Sequence, residues 1–173
     1  SLTLGAWVYS SSGYGDDGFI SKAENSNGQG YFLGHLAGSG FAFRLENTGS
    51  GYANIAATNR WFFVVGTYDG STMRLYVDGV LQSSAAYSGG ITNLSEPLLI
   101  GAGKWAANPS TFYFAGTIDE PFVTAEALTP SQIKHMYEVG KRALQNHTAS
   151  RIVGVTGADN YQRLMGNASG GTS

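Results

Sequence analysis

The chain has 173 residues, enough for one domain with a sizeable core. Its 25 glycines, set against ten basic and twelve acidic residues, describe a turn-rich β protein with a mostly uncharged polar surface, and a net charge of −2 gives no drive towards nucleic acid or an anionic membrane. There is no cysteine, hence no disulfide framework, and no apolar run of the roughly eighteen residues that would suggest a membrane-spanning helix.

In chain order, Leu2 to Tyr9 alternates as a strand, and Ser10 to Gly18 is a loop by composition. Phe19 to Lys22 is a short strand. Tyr31 to Leu36 and Phe41 to Glu46 pair through Ala37-Gly38-Ser39-Gly40, and Tyr52 to Ala57 is a weaker strand. The stretch Asn59 to Val80 organises the rest. Trp61 to Tyr68 and Met73 to Val77 are joined by Asp69-Gly70, and Asp78-Gly79 follows; each dipeptide predicts a type I′ turn with positive φ at both residues. Trp61 to Tyr68 is apolar on both faces, so both faces are expected to be covered. Leu81 to Tyr87 follows. Leu98 to Gly101 is fully apolar and expected to be central, Ala102 to Ser110 is a loop, and Phe112 to Val123 carries the last strand. Such spacing predicts an antiparallel β-sandwich or barrel.

The texture then changes. Thr129 as N-cap and Pro130 at the first helical position open a helix of about four turns, with Ile133, Met136, Tyr137, Gly140, Ala143 and Leu144 at helical spacing, expected to pack on the sandwich. The expected division is 1–146 for the domain with its closing helix and 147–173 for an extension or linker to a further domain. A start at Ser1, without Met and already in a strand, is expected of part of a longer protein.

The block WFFVVGTYDGSTMRLYVDGVL resembles the W-x-H-V-A-x-T-Y-D-G-S-x-x-x-L-Y-V-N-G core of the laminin-G-like, concanavalin A-like jelly-roll family. SLTLGAWV, GFISK, EPLLIG, FAGTIDE and ALTPSQIKHMY are similar to further family motifs in the same order, over about residues 1 to 140. Phe63 stands where the family often has His, and Phe122-Val123 departs from its usual ending. The resemblance implies a jelly-roll sandwich with one C-terminal helix and a non-catalytic recognition module, binding glycan or a surface protein outside cells or on a virion. It also implies an edge strand before Ser1. An assembly module of a phage tail, fibre or filament is the alternative, its apolar edge near Ser1 to Tyr9 or its helix completed by another subunit.

Calcium is the metal that the resemblance implies, at Asp119 of GTIDE; the plainer reading is an Asp satisfying nearby amides. Asp16-Asp17 in the Gly-rich loop is a second candidate, or a solvated loop. For glycan, Trp105 flanked by Lys104 and Asn108 is the leading platform, against a loop anchor folded onto the sheet edge; Tyr14, Tyr52 and Tyr113 follow. Arg44 and Glu46 fall on one side of a strand, as a glycan-facing pair or an ordinary exposed one. Trp7 and Trp61 are core.

Catalysis has little support. Asp119 and Glu120 are adjacent and expected to face opposite sides of a strand, so they cannot flank one glycosidic bond. His35, His135 and His147 have no metal-ligand spacing. The G-x-G-x-x-G match at Gly13 to Gly18 lacks a following helix. Asn93, Asn146 and Asn167 open N-glycosylation sequons that matter only in a eukaryotic secretory setting.

Overall fold

The computed structural model describes residues 1–10, 15–23, 29–46, 49–53, 55, 59–103 and 112–144. Among them the chain forms twelve strands: β1 (Leu2–Tyr9), β2 (Asp17–Ala23), β3 (Gly30–Leu36), β4 (Gly40–Leu45), β5 (Gly49–Ala53), β6 (Trp61–Tyr68), β7 (Thr72–Val77), β8 (Val80–Ala86), β9 (Leu99–Ile100), β10 (Ala102–Gly103), β11 (Phe112–Tyr113) and β12 (Thr117–Thr124). One sheet has five strands in the order β12-β1-β6-β7-β8. The other has seven, in the order β10-β11-β2-β3-β4-β5, with β9 also on β2. Apart from the parallel β11–β2 pair, the pairings are antiparallel. This is the expected sandwich.

Period-2 alternation builds the layer between the sheets. Leu2, Leu4, Ala6 and Val8 of β1, Phe62 and Val64 of β6, and Met73, Leu75 and Val77 of β7 meet Phe19, Leu33, Phe41, Phe43 and Leu45 in one buried cluster. Contact at its centre is close: a Cβ added to Gly66 would run into the Phe43 ring, so only glycine fits there. The aromatic rings cross edge-on, as Phe41 does with Phe62 at 5.2 Å.

The five-stranded sheet is covered on its other face too. Trp7 lies against Phe63 at 5.1 Å, Tyr9 against Trp61 at 5.7 Å, and Phe122 fills the space above Gly5. The 125–128 segment crosses this face through buried Thr3, whose hydroxyl donates to the Glu126 carbonyl at 2.6 Å and accepts from the Leu128 amide at 3.0 Å.

The two Asp-Gly turns differ. Asp78-Gly79 has φ of 53° and 76°, the expected I′ geometry, with Val77 opposite Val80. At Asp69-Gly70 only Gly70 is positive, at 98°. There Asp69 Oδ1 accepts from the amides of Ser71 and Thr72 at 2.9 and 2.8 Å, which makes a longer Asx-type loop instead.

Three other expectations are corrected. The Tyr52 strand ends at Ala53. The apolar Leu98 to Gly101 stretch is not central: β9 is two residues long, Gly101 turns away at φ 74°, and Leu98 and Ile100 are 45% and 55% exposed. The last strand, GTIDEPFV in Phe112 to Val123, is β12 as expected; ahead of it Phe112–Tyr113 adds β11 to the other sheet, the chain crossing between layers at Phe114 to Gly116. Finally, β1 is not an open edge waiting for a partner. It is hydrogen-bonded on both sides, to β12 and β6, and its side chains are buried from Leu2 to Val8.

A helix, α1, spans 130–144. Thr129 and Gln132 form a capping box: the Gln132 amide donates to Thr129 Oγ1 at 3.3 Å and the Thr129 amide to Gln132 Oε1 at 2.8 Å. The first compact unit, Ser1–His135, includes buried Ile133. In the second, from Met136 on, Lys141 Nζ lies 5.4 Å from the Tyr137 ring centroid, an i,i+4 pair on the helix. Residues 147–173 lie outside the described residues.

Candidate functional site

Strand register brings one line of residues across the outer face of the seven-stranded sheet: Tyr113 opposite Gly18, Gly18 opposite Gly34, Gly34 opposite Ala42, Ala42 opposite Tyr52. Paired residues share a face, and these alternate with the inward Phe41, Phe43 and Leu33. The middle of the line is buried and small. Its ends are two exposed tyrosines, Tyr113 at 74% and Tyr52 at 41%. Four strand spacings separate them, about 19 Å at ~4.8 Å each.

Arg44 stands on the same face, one register step along, opposite Phe32 on one side and Ser50 on the other. It is half-buried, and Phe32 and Ala42 are fully buried in a small outer cluster with Ala23. Burial pulls the Arg44 guanidinium below its usual pKa, while the nearby Tyr52 phenol acts in the opposite direction. A partly desolvated guanidinium beside an exposed aromatic ring is an arrangement that can hydrogen-bond a polar ligand while the ring packs on its apolar face.

Glu46 does not share this face. It lies past the end of β4 at φ 49°, which swings its side chain off the strand's alternation. Its Oε1 accepts from the Thr92 amide at 2.7 Å and the Gly30 amide at 3.3 Å, and Oε2 accepts from the Thr92 hydroxyl at 3.1 Å. Glu46 is thus a tether between the β3–β4 pair and the segment after β8.

The acidic candidates are engaged as acceptors from backbone amides. Asp16 Oδ1 accepts from the Ala37 amide and Asp17 Oδ2 from the Gly15 amide, both at 2.8 Å. His35, opposite Asp17, has Nδ1 2.9 Å from the Gly15 carbonyl and lies edge-on to Phe41. Burial raises the Asp17 pKa, partly offset by the Gly15 hydrogen bond and by His35. Asp119 is exposed and its Oδ1 accepts from the Glu120 amide at 2.9 Å. Glu120 sits at φ 48° in a bulge, where Gly5 to Trp7 opposes Phe122 to Asp119. The alternation argument for Asp119 and Glu120 therefore does not apply at this position. Among the described residues no three His, Cys, Asp or Glu side chains gather into one group.

Lys104, Trp105, Asn108 and Tyr14 lie outside the described residues. The strands bracketing the first three, β10 and β11, pair with each other, and β11 pairs with β2. Asn93 is exposed, and the other two sequons are outside the described residues. One feature has no counterpart in the sequence reading: a shallow cleft of about 480 Å³ where Ser1, the end of β6 and residues 88–91 converge. Its only hint in sequence is a glycine pair after an aromatic residue, Tyr87-Ser88-Gly89-Gly90. Among the described residues no helix is long and apolar enough to cross a membrane.

Comparison with known proteins agrees with this architecture. Residues 1–134 match the Laminin_G_3 family model, described as concanavalin A-like lectin/glucanases superfamily. No curated protein matches in sequence. Among solved structures, a candidate carbohydrate binding protein from Bacteroides ovatus superposes with a TM-score of 0.62 at 18% identity, over 77% of this chain and 39% of that one. The binding domain of botulinum neurotoxin DC, in complex with SialylT, gives 0.57 at 16%, over 80% and 35%. Domain 4 of AbnA, an extracellular arabinanase from Geobacillus stearothermophilus, in complex with arabinotriose, gives 0.56 at 16%, over 79% and 66%. The chain thus spans less than two fifths of the first two, and at these identities the likeness is one of fold.

Proposed function

Since the chain belongs to the concanavalin A-like lectin/glucanase superfamily, as the match over residues 1–134 shows, we propose that it is a non-catalytic module that binds carbohydrate outside the cell. The observation that carries this reading is the outer face of the seven-stranded sheet, where Tyr52 and Tyr113 are exposed at the two ends of one register line and half-buried Arg44 stands beside Tyr52. Exposed rings pack on the C–H faces of sugars, and the guanidinium takes hydroxyls or a carboxylate. Complexes of two neighbours with SialylT and with arabinotriose support the ligand class. Trp105, with Lys104 and Asn108, supplies a further aromatic contact in this reading, from the stretch of sequence between β10 and β11.

A glycan array tests this reading. Wild-type protein is expected to bind selectively, and Tyr52→Ala to weaken the strongest hit at least tenfold with an unchanged thermal midpoint. Running the array with calcium and again with EDTA decides the metal: an unchanged pattern removes calcium from the account. Silence across a broad array, from folded protein, would sink the lectin reading in favour of a surface-protein or assembly partner, including one on a virion.

A further inference from the structure

The charges of the seven-stranded sheet are sorted between its two faces. Within β2 to β5 the side chains charged at neutral pH are Asp17, Lys22 and Arg44. Register sets Asp17 opposite His35 and Lys22 opposite Tyr31. His35 lies edge-on to Phe41, and Tyr31 packs against the core cluster, so both pairs belong to the inward side. Arg44 is opposite Phe32, which joins Ala42 in the outer cluster, and Ala42 is opposite Tyr52. Among the described residues of these four strands, the register thus gives the outer face one charge, and it is positive.

The acid that alternation would set beside it is held elsewhere. Glu46, two residues on, leaves the strand at φ 49°. Its carboxylate takes three hydrogen bonds, from the Gly30 amide and from the amide and hydroxyl of Thr92. Turning it back towards Arg44 would strand those donors, so the tether also keeps a carboxylate off the face. Asp16 and Asp17, towards the other end of β3, accept from the Ala37 and Gly15 amides.

Arg44 is half-buried. A guanidinium has five N–H donors, enough to keep contacts inside the sheet and still offer a pair to a ligand. Burial draws its pKa down, so an anion brought beside it offsets part of what desolvation costs. Two parallel hydrogen bonds to one oxyanion are also stronger than those a guanidinium gives to neutral hydroxyls.

We propose that Arg44 selects sugars that carry an oxyanion, a carboxylate or a sulfate, while the sugar ring packs on Tyr52. This rests on the carbohydrate reading of the same face and adds to it the charge of the ligand. The test is a glycan array on which sialylated, uronate and sulfated glycans stand beside neutral counterparts of the same backbone, each hit pair then being compared by calorimetric titration. Wild type is expected to bind the anionic member at least tenfold more tightly, and to lose most of that margin on going to about 0.5 M salt. A margin with either class supports the assignment, and the larger of the two identifies the oxyanion. Arg44→Gln should bring the anionic member down to its neutral counterpart, Arg44→Lys should keep part of the margin, and Tyr52→Ala should weaken both members alike. If Arg44→Gln does not fold, the wild-type margin and its partial loss in Arg44→Lys decide. Equal binding of anionic and neutral members by wild type, or a margin that survives Arg44→Gln, would overturn the assignment and leave the carbohydrate reading standing. Silence across the array from folded protein would remove both.

Discussion

The two sheets are built by the same alternation and end up with different outer faces. In the five-stranded sheet, β6 is apolar on both sides because both sides are covered: the core lies on one, and Trp7, Phe63 and Phe122 with the segment crossing at Thr3 lie on the other. In the seven-stranded sheet the inner face is as aromatic as its opposite, but the outer face carries small residues between exposed Tyr52 and Tyr113, with Arg44 half-buried beside them. The middle of that outer face is filled, by the Phe32 ring beside Gly34 and the Ala102–Gly103 backbone over Gly18, so it is at the exposed tyrosine ends that a ligand can be met.

Substitutions can break that contrast in order of effect. Phe43→Ala removes a fully buried ring that both sheets share and that packs over Gly66, and is expected to cost about 3–5 kcal/mol in denaturant unfolding. A loss below ~1 kcal/mol would mean that the layer is looser than described. Thr3→Val keeps the shape but strands the Leu128 amide and the Glu126 carbonyl, and is expected to cost about 1–3 kcal/mol by the same measurement. Tyr52→Ala and Trp105→Ala should spare stability and weaken glycan binding in calorimetric titration, the first by about 1.4–3 kcal/mol and the second by roughly 1–3 kcal/mol. Stability loss with unchanged affinity would assign those rings to the scaffold.

The pH dependence sharpens the contrast with the smallest effects, since two aspartates act in opposite senses. Asp17 is raised above 3.8 by burial, so the stability it contributes is present below 3.8 and is lost as pH rises through its folded value. Asp69 is held below 3.8, first by Arg74 and then by Ser71 and Thr72, so its contribution is full above 3.8 and lost as pH falls towards its lower folded value. Urea midpoints from about pH 2 to about 7 should therefore show Asp17→Asn gaining most at neutral pH and Asp69→Asn flattening the acid limb. The reverse assignment would contradict the burial described at Asp17 and the hydrogen bonding described at Asp69.

Much of the fold was legible because its signals are local. Trp61 to Val80 reads correctly since apolar runs and Asp-Gly dipeptides are contained within it, and the Thr129-Pro130 helix start since capping is a matter of a few residues. Identical dipeptides still gave different turns, because Ser71 and Thr72 present amides that the Asp69 carboxylate captures. The site was less legible. Arg44 and Glu46 look paired at i, i+2 until φ 49° at Glu46 takes it out of the strand. The line from Tyr113 to Tyr52 depends on four registers across five strands, and the cleft on Ser1 meeting residues 88–91; neither distance is encoded in spacing along the chain.

The most direct test of the central claim is the affinity of wild type and Tyr52→Ala for the strongest array glycan, measured side by side with their thermal midpoints. The account predicts equal midpoints and a drop in affinity of tenfold or more. Equal affinity for both proteins would contradict it, and would show that the outer face of the seven-stranded sheet is not where carbohydrate binds.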